Sequence, residues 1–288
     1  MDVFTSIRAT GSLRFDNTRF LATELATLEQ PIVREQRLGL KLEYVFDNTL
    51  DVALNIKNGT RYKFYIESSK GFNVGLQNGL SLDLNQGFLS VIGADVRHYQ
   101  RFLKYSVLAG RFAFASSFGS EKILYQLGGT DGWLLPRYNT DIPFPQSNEF
   151  AFQTVATNLR GFRLNIRNGN SFALINTELR MPVFRYLFPH TQSNFFRNFQ
   201  LVGFFDAGTA WQGTDPFDEE SPINTEIISD IPQVQVEVTF FRDPIVFGYG
   251  AGLRTVLFGY FVRLDYAWGL ETREVQDPRL YLSIGMDF

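Results

Sequence analysis

The last nine residues of the chain alternate strictly between apolar side chains and polar or small ones. The apolar members are Leu280, Leu282, Ile284, Met286 and Phe288, and the residues between them are Tyr, Ser, Gly and Asp. Because successive side chains of a β-strand point to opposite faces, this pattern predicts a strand with one apolar and one polar face. A half-buried strand of a soluble sheet has the same pattern, so the argument depends on whether the alternation repeats.

The alternation recurs about ten times along the chain, in stretches of roughly ten residues. The clearest internal example is residues 38–46, which read Leu-Gly-Leu-Lys-Leu-Glu-Tyr-Val-Phe. About ten residues is the length at which a tilted strand crosses a membrane. The predicted strands cover residues 3–15, 38–47, 61–67, 92–99, 108–114, 172–181, 201–211, 246–255, 260–269 and 280–288.

Charged side chains fall mostly on one face of each predicted strand. A charge on the lipid-facing side of a membrane barrel costs about 2 to 4 kcal/mol at mid-membrane, whereas a charge in a wet lumen costs little. We therefore expect the following charged residues to point inward: Arg111, Arg180, Asp206, Arg254, Arg263 and Asp265. A soluble β-sandwich, which would bury its apolar face and expose its charges, is the alternative that alternation alone leaves open.

The connections between the predicted strands alternate between short and long. Residues 100–104 form a tight turn, whereas 117–170 and 212–243 are long segments. Outer-membrane barrels have short periplasmic turns and long extracellular loops. Placing the carboxy-terminus in the periplasm makes both long segments extracellular, and this arrangement favours the barrel over the sandwich. Two periplasmic connections are longer than the rule expects: residues 47–59 and 184–198.

Composition agrees with a membrane barrel and argues against other classes. No run of about eighteen apolar residues is present, so no transmembrane helix is predicted. The other structure that satisfies all backbone hydrogen bonds in lipid is a closed β-barrel. Aromatic residues make up 16% of the chain, as expected where aromatic girdles meet the lipid interface. The net charge of -3 argues against a nucleic-acid partner. Because cysteine is absent, neither disulfides nor a thiolate metal site can form.

Local signatures lie in order along the second half of the chain. They are Gly128-Gly129 and Leu159-Arg160-Gly161-Phe162 within the long segment, Thr177-Glu178-Leu179-Arg180 on the next predicted strand, and Gly203-Phe204-Phe205-Asp206-Ala207-Gly208 on the strand after that. With the terminal Phe288, they resemble the carboxy-terminal barrel of the BamA, TamA and two-partner-secretion transporter superfamily, in which POTRA domains precede a barrel of sixteen strands.

The resemblance implies a set of site residues. In that family the Gly-Gly pair and the Arg-Gly motif mark the sixth extracellular loop, which folds back into the lumen, and here they are Gly128, Gly129, Leu159, Arg160, Gly161 and Phe162. Arg160 takes the place of the loop arginine, and Glu178 and Asp206 are the candidates for its acidic partners. A guanidinium offers a planar bidentate fork that a lysine lacks. Residues 280–288 would be the terminal strand that serves as the insertion signal.

The resemblance covers essentially the whole chain but only the last ten of the sixteen strands. We therefore expect a fragment of a longer protein, with six strands and the POTRA domains outside this sequence. The amino-terminus also lacks the basic and apolar regions of a signal peptide. Residues 46–49, 58–62 and 259–263 resemble barrels from Bacteroidota that carry an amino-terminal β-propeller.

The function implied by the resemblance is insertion or translocation of proteins at the outer membrane of a Gram-negative bacterium, through a lateral seam or a pore plugged by the infolded loop. The expected partners are outer-membrane lipid, an unfolded or secreted protein substrate and accessory envelope proteins, and no nucleic acid. We expect no enzymatic activity, no cofactor and no metal, because His98 and His190 belong to no catalytic or metal-ligand motif. The alternative is a passive pore or a structural scaffold for a larger envelope complex, and a pore predicts an open lumen.

Overall fold

The computed structural model describes residues 4–18, 33–75, 81–83, 87–142, 150–213, 215–217, 225–227, 237–239 and 242–288. Within these ranges the chain consists almost wholly of antiparallel β-strands with two short helices, which confirms the predicted all-β fold. No helix in the described ranges is long and apolar enough to cross a membrane.

The elements are, in chain order, β1 Thr5–Thr18, β2 Val33–Asp47, β3 Leu50–Ala53, β4 Ile56–Gly75, β5 Ser81–Asp83, β6 Phe88–Arg101, β7 Val107–Gly119, β8 Lys122–Leu127, β9 Phe150–Ala156, β10 Arg167–Gly169, β11 Ser171–Met181, α1 Val183–Leu187, α2 Asn194–Asn198, β12 Gln200–Trp211, β13 Thr225–Ile227, β14 Glu237–Thr239, β15 Val246–Leu257, β16 Tyr260–Glu271, β17 Glu274–Val275 and β18 Arg279–Ile284.

The main sheet has an up-and-down order in which strands that are neighbours in the chain pair with each other. The path is β1-β2-β4-β6-β7-β11-β12-β15-β16-β18, and each pair on it is antiparallel. These ten strands correspond to the ten that alternation predicts. No pairing within the described residues joins β1 to β18, so closure into a barrel is not seen within this chain.

The two faces of this sheet differ in chemistry. On what we call the outer face, large apolar side chains such as Leu38, Leu40 and Leu42 are exposed. The opposite, inner face carries the charged residues that were expected to point inward, and this confirms the assignment: Arg180, Asp206, Arg254, Arg263 and Asp265 are buried, and the Arg111 side chain is 13% exposed. An apolar outer face and a charged inner face suit strands that stand in lipid around a polar interior.

The long segment 117–170 has no long alternating run in the sequence, but its described residues form strands. β7 continues to Gly119, and the segment then forms a separate three-stranded sheet in which β10 and β9 pair with opposite edges of β8. The pairing of β8 with β9 is parallel and joins strands that are far apart in the chain. Local alternation cannot reveal such a pair, which is why the segment reads as irregular in the sequence. Of 212–243, the structure describes a short β13-β14 hairpin.

Both of the longer connections predicted at the opposite rim contain regular structure. Residues 47–59 form a hairpin, because β3 pairs with the first residues of β4, from Leu50↔Asn58 to Ala53↔Ile56. Residues 184–198 contain most of α1 and all of α2. The two helices pack through aromatic rings, with Phe184 and Phe196 5.0 Å apart between ring centroids.

The last strand ends earlier than the alternation predicts. β18 pairs with β16 up to Val262↔Ile284 and then stops, because Gly285 has a φ of 120° that breaks the extended conformation. Met286 remains 57% exposed, whereas Phe288 is 7% exposed and turns to the inner side. The expectation that Phe288 continues the apolar outer face of residues 280–288 is therefore wrong.

Candidate functional site

The described residues of the long connection between β7 and β11 pack against the inner face of the main sheet, and we call residues 122–142 and 150–169 the loop insert. Its two glycine-containing signatures meet directly. The Leu159 N–H donates to the Gly129 carbonyl at 2.9 Å. Gly128 and Gly129 have φ values of 130° and 70°, and a Cβ at Gly128 would collide with the backbone of Arg163. Glycine is required there because the backbone is left-handed and closely packed.

Arg160 is the central side chain of the loop insert and is fully buried. Its Nε and one Nη donate to the two carboxylate oxygens of Asp206 at 2.7 and 2.8 Å, and its backbone N–H adds a third bond to Asp206 at 3.0 Å. Its other Nη lies 2.7 Å from Glu178 Oε1, in an ion pair that lacks hydrogen-bond alignment. The guanidinium carbon lies 3.7 Å from the centroid of the Phe204 ring. The structure thus brings together the three charged residues named from the motifs.

The strands that face Arg160 carry glycines where the loop insert approaches. A Cβ at Gly248 would collide with the Arg160 carbonyl, and a Cβ at Gly269 would lie 2.5 Å from the Phe162 ring. Gly161 itself has a φ of 98° and lies against the backbone of Trp268. These contacts explain why small residues occur on the inner face of β15 and β16, because a larger side chain would separate the loop insert from the sheet.

Tyr281 is a site residue that the motifs did not identify. Its hydroxyl accepts from the Gly161 N–H at 2.9 Å and donates to the Phe162 carbonyl at 2.8 Å, and the residue is fully buried. The last strand therefore binds the backbone of the Arg-Gly motif. The alternation of residues 280–288 places Tyr281 on the inner face, so its position could be read from the sequence, although its partners could not.

A second segment reaches the inner face from the opposite rim, and we call residues 50–58, the β3-β4 hairpin, the hairpin insert. Its tip residue Asn55 has a φ of 62° and is buried. The side-chain NH2 of Asn55 donates to Asp287 Oδ2 at 2.8 Å and to Gln200 Oε1 at 3.2 Å. The side-chain oxygen of Asn55, Oδ1, accepts from the Asp287 main-chain N–H at 3.1 Å. Next to it, Ile56 is fully buried. The hairpin insert and the carboxy-terminal residues thus hold each other.

The two terminal residues of the sequence have separate roles in this contact. Asp287 accepts from Arg254 Nε at 2.9 Å and from Arg263 Nη1 at 3.1 Å. The Phe288 ring packs with Ile56 and with inner-face residues of β6 and β7, and its main-chain oxygen accepts from Arg180 at 3.2 Å. The carboxy-terminus is therefore bound on the inner face by charge and by apolar packing.

Charged residues connect the two inserts through the inner face. Glu178 lies between Arg160 of the loop insert and Arg180, whose Nε donates to it at 2.9 Å. Arg180 also donates to the main-chain carbonyl oxygen of Asn55, at the tip of the hairpin insert, at 3.2 Å. The buried charges of this network balance, with four arginines against four carboxylates: Arg160, Arg180, Arg254 and Arg263, and Glu178, Asp206, Asp265 and Asp287. Such a network is rigid when complete, because removing one member leaves a buried charge without its partner.

The architecture and the site together describe an all-β membrane protein whose inner face is covered by its own connections. The family model of the Omp85 superfamily domain matches residues 26–288, and the chain belongs to this superfamily. Members of the superfamily are outer-membrane proteins of Gram-negative bacteria that insert or translocate proteins, and they are not enzymes. A search of the curated proteins returned no match.

Proposed function

We propose that this chain is the barrel region of a machine that inserts or translocates proteins at the outer membrane of a Gram-negative bacterium. Its substrate would be an unfolded or secreted protein, handled at the edge of the last strand or through a lumen that the loop insert plugs. The observation that carries the proposal is the bidentate pairing of Arg160 with Asp206, which fixes the loop insert to the inner face.

The energetics of the Arg160 cluster favour a fixed position of the loop insert. All three charged side chains are fully buried, so release of the loop would leave Asp206 without an arginine and Glu178 with Arg180 alone. Breaking a buried pair in this way costs about 3 to 5 kcal/mol. Thermal motion alone would therefore open this path rarely, and a passive pore along it would conduct poorly.

The outer face of the terminal strand supports the proposed role of residues 280–288 as an insertion signal. Leu280, Leu282, Ile284 and Met286 are all exposed on that face, where lipid would meet them. In this proposal Phe288 acts differently, because its ring is bound on the inner face and stabilises the finished barrel. Accessory envelope proteins and the likeness to Bacteroidota barrels remain predictions.

One reconstitution experiment separates this function from a passive pore. The full-length protein is placed in liposomes, and two rates are measured: folding of an added unfolded outer-membrane β-barrel protein, and swelling in a small neutral sugar. We expect faster folding than in protein-free liposomes and no added sugar flux. Sugar flux without faster folding would instead establish the pore.

A further inference from the structure

A groove crosses the outer face of the main sheet near the rim from which the loop insert leaves. It has a volume of about 380 Å³, and we call it the outer groove. Four consecutively paired strands of the sheet form it: β1, β2, β4 and β6. The side chains that line it are Leu38, Leu40, Ser68, Lys70 and Phe88, beside the exposed backbone of Gly11.

The floor of the outer groove is made by small residues. Gly11 is exposed, and a Cβ added there would meet no atom within 4 Å, so open space surrounds it. The Ser68 and Ser90 hydroxyls lie 2.9 Å apart in a hydrogen bond across β4 and β6, so each already has a partner. Leu40 and Phe88 are large, exposed apolar side chains of the same groove. The groove therefore suits an apolar chain.

Lys70 lies in the outer groove and departs from the rule that the charges of this sheet point inward. It pairs directly with Leu38 on β2 and with Phe88 on β6, and directly paired residues share a face. Both neighbours are exposed apolar side chains of the outer face. Lys70 itself is exposed, and no carboxylate of the residues that the structure describes forms an ion pair with it.

The depth of Lys70 in the membrane follows from the geometry of β4. Tyr62 lies on the same face near the other end of the strand, and its ring stacks on Phe46 with 4.9 Å between centroids, as expected at a lipid interface. Lys70 is eight residues further along. At about 3.3 Å per residue and a tilt of about 40°, it lies about 20 Å from that interface along the membrane normal.

This distance places the ammonium of Lys70 at the headgroups of the opposite leaflet. The apolar band of a membrane barrel is about 25 Å tall, and a lysine extends its charged end from apolar surroundings towards water. In the arrangement predicted from the lengths of the connections, this leaflet is the extracellular one. The apolar walls of the groove do not select among lipids, because acyl chains are as apolar as leucine. A cation at headgroup level does select, since it attracts phosphate.

We propose that the outer groove binds one acyl chain of a phosphorylated lipid of the extracellular leaflet, whose phosphate pairs with Lys70. The occupant must carry both an acyl chain for the groove and an anionic headgroup for the ammonium. This inference goes beyond the proposed function, because it requires only that the strands stand in a membrane, whether or not the protein handles a protein substrate.

The chain contains no cysteine, so a single thiol can report whether the outer groove is occupied. In the full-length protein in detergent, Ser68→Cys places a thiol on the floor of the groove, and the rate of maleimide labelling is measured with and without lipid A, a phosphorylated glycolipid. We expect lipid A to slow labelling. The matched control is Thr177→Cys, between the exposed Ile175 and Leu179 on the outer face of β11, where labelling should not change. Equal slowing at both positions would overturn the proposal, because it would show general coating of the outer face.

The role of Lys70 is tested by the lipid A concentration that gives half of this protection. In the Ser68→Cys protein, Lys70→Gln should raise that concentration about fivefold, the contribution expected of one lysine at an anionic lipid surface. Lys70→Arg should leave it unchanged. The control is Lys63→Gln, which removes a lysine of the inner face of the same strand that lies 3.7 Å from Glu43. No effect of Lys70→Gln, or an equal effect of Lys63→Gln, would refute the pairing with phosphate.

The two parts of the ligand can be separated. Lipid A from which the phosphates have been removed should bind equally weakly with Lys or Gln at position 70, and inorganic phosphate should give no protection. Gly11→Leu fills the groove without a collision and should abolish the protection by lipid A. Its urea unfolding should match that of the unmodified protein, which shows that the fold is kept. Protection by inorganic phosphate alone, or full protection in the Gly11→Leu variant, would contradict binding of an acyl chain in the groove.

Discussion

The loop insert and the hairpin insert reach the same inner face from opposite rims, but they are held there by different chemistry. The central contact of the loop insert is the Arg160 guanidinium, whose hydrogen bonds and ion pair reach carboxylates on two neighbouring strands. The central contact of the hairpin insert is the neutral amide of Asn55, which binds Asp287 and Gln200. A buried charge pair is costly to break, whereas an amide contact is moderate in strength. The comparison indicates that the loop insert is the fixed element and the hairpin insert the more easily released one.

The largest expected effect comes from Arg160→Ala. Because Asp206 would be left buried without an arginine and Glu178 would keep only Arg180, the free energy of unfolding should fall by about 3 to 5 kcal/mol. Arg160→Lys keeps the charge but loses the bidentate fork, so its loss should be smaller. Urea unfolding of the purified protein in detergent measures both changes.

The matched control for this prediction is Arg97→Ala. Arg97 also binds a carboxylate through two nitrogens, at 2.6 and 3.0 Å to Asp95, but its side chain is 26% exposed. Its removal should cost about 1 kcal/mol or less, as for other solvated ion pairs. Equal losses for Arg97→Ala and Arg160→Ala would show that the loop arginine has no special structural role.

For the hairpin insert, Asn55→Ala should lower the free energy of unfolding by about 1 to 3 kcal/mol. The Asn55 side chain makes three hydrogen bonds, and its removal leaves the buried Asp287 N–H unpaired. The loss should be local, so trypsin should cleave at Lys57 faster while Arg163 in the loop insert stays protected. Asn55→Gly keeps the left-handed conformation and separates the backbone cost from the lost amide. Faster cleavage at both sites would mean that the two inserts open as one unit.

The difference between the inserts also explains what could be predicted from the sequence. The ten strands and their inner faces follow from the alternation of apolar and polar side chains every second residue, which is local information. The Arg160 contacts were implied by motifs that the family shares. The hydrogen bond between Asn55 and Asp287 joins residues that are 232 positions apart in the chain. The connection that contains Asn55 has no alternating pattern, so nothing in the sequence indicates this bond. The inward turn of Phe288 depends on the left-handed Gly285, whereas the apolar alternation continues past that residue.

Among the contacts that hold the two inserts, the smallest effect is expected at Tyr281, where the last strand meets the loop insert. Tyr281→Phe keeps the buried ring and its contact with Trp133 but removes the hydroxyl that bridges Gly161 and Phe162. We expect the free energy of unfolding to fall by about 1 to 2 kcal/mol, because the Gly161 N–H and the Phe162 carbonyl would each lose a hydrogen-bond partner in a buried site. In a double-mutant cycle with Arg160→Ala, the two losses should combine to less than their sum, since both residues hold the same three-residue turn. Additive losses would mean that the last strand and the arginine secure the loop insert independently, and the hydroxyl bridge would then belong to the packing of β18 alone.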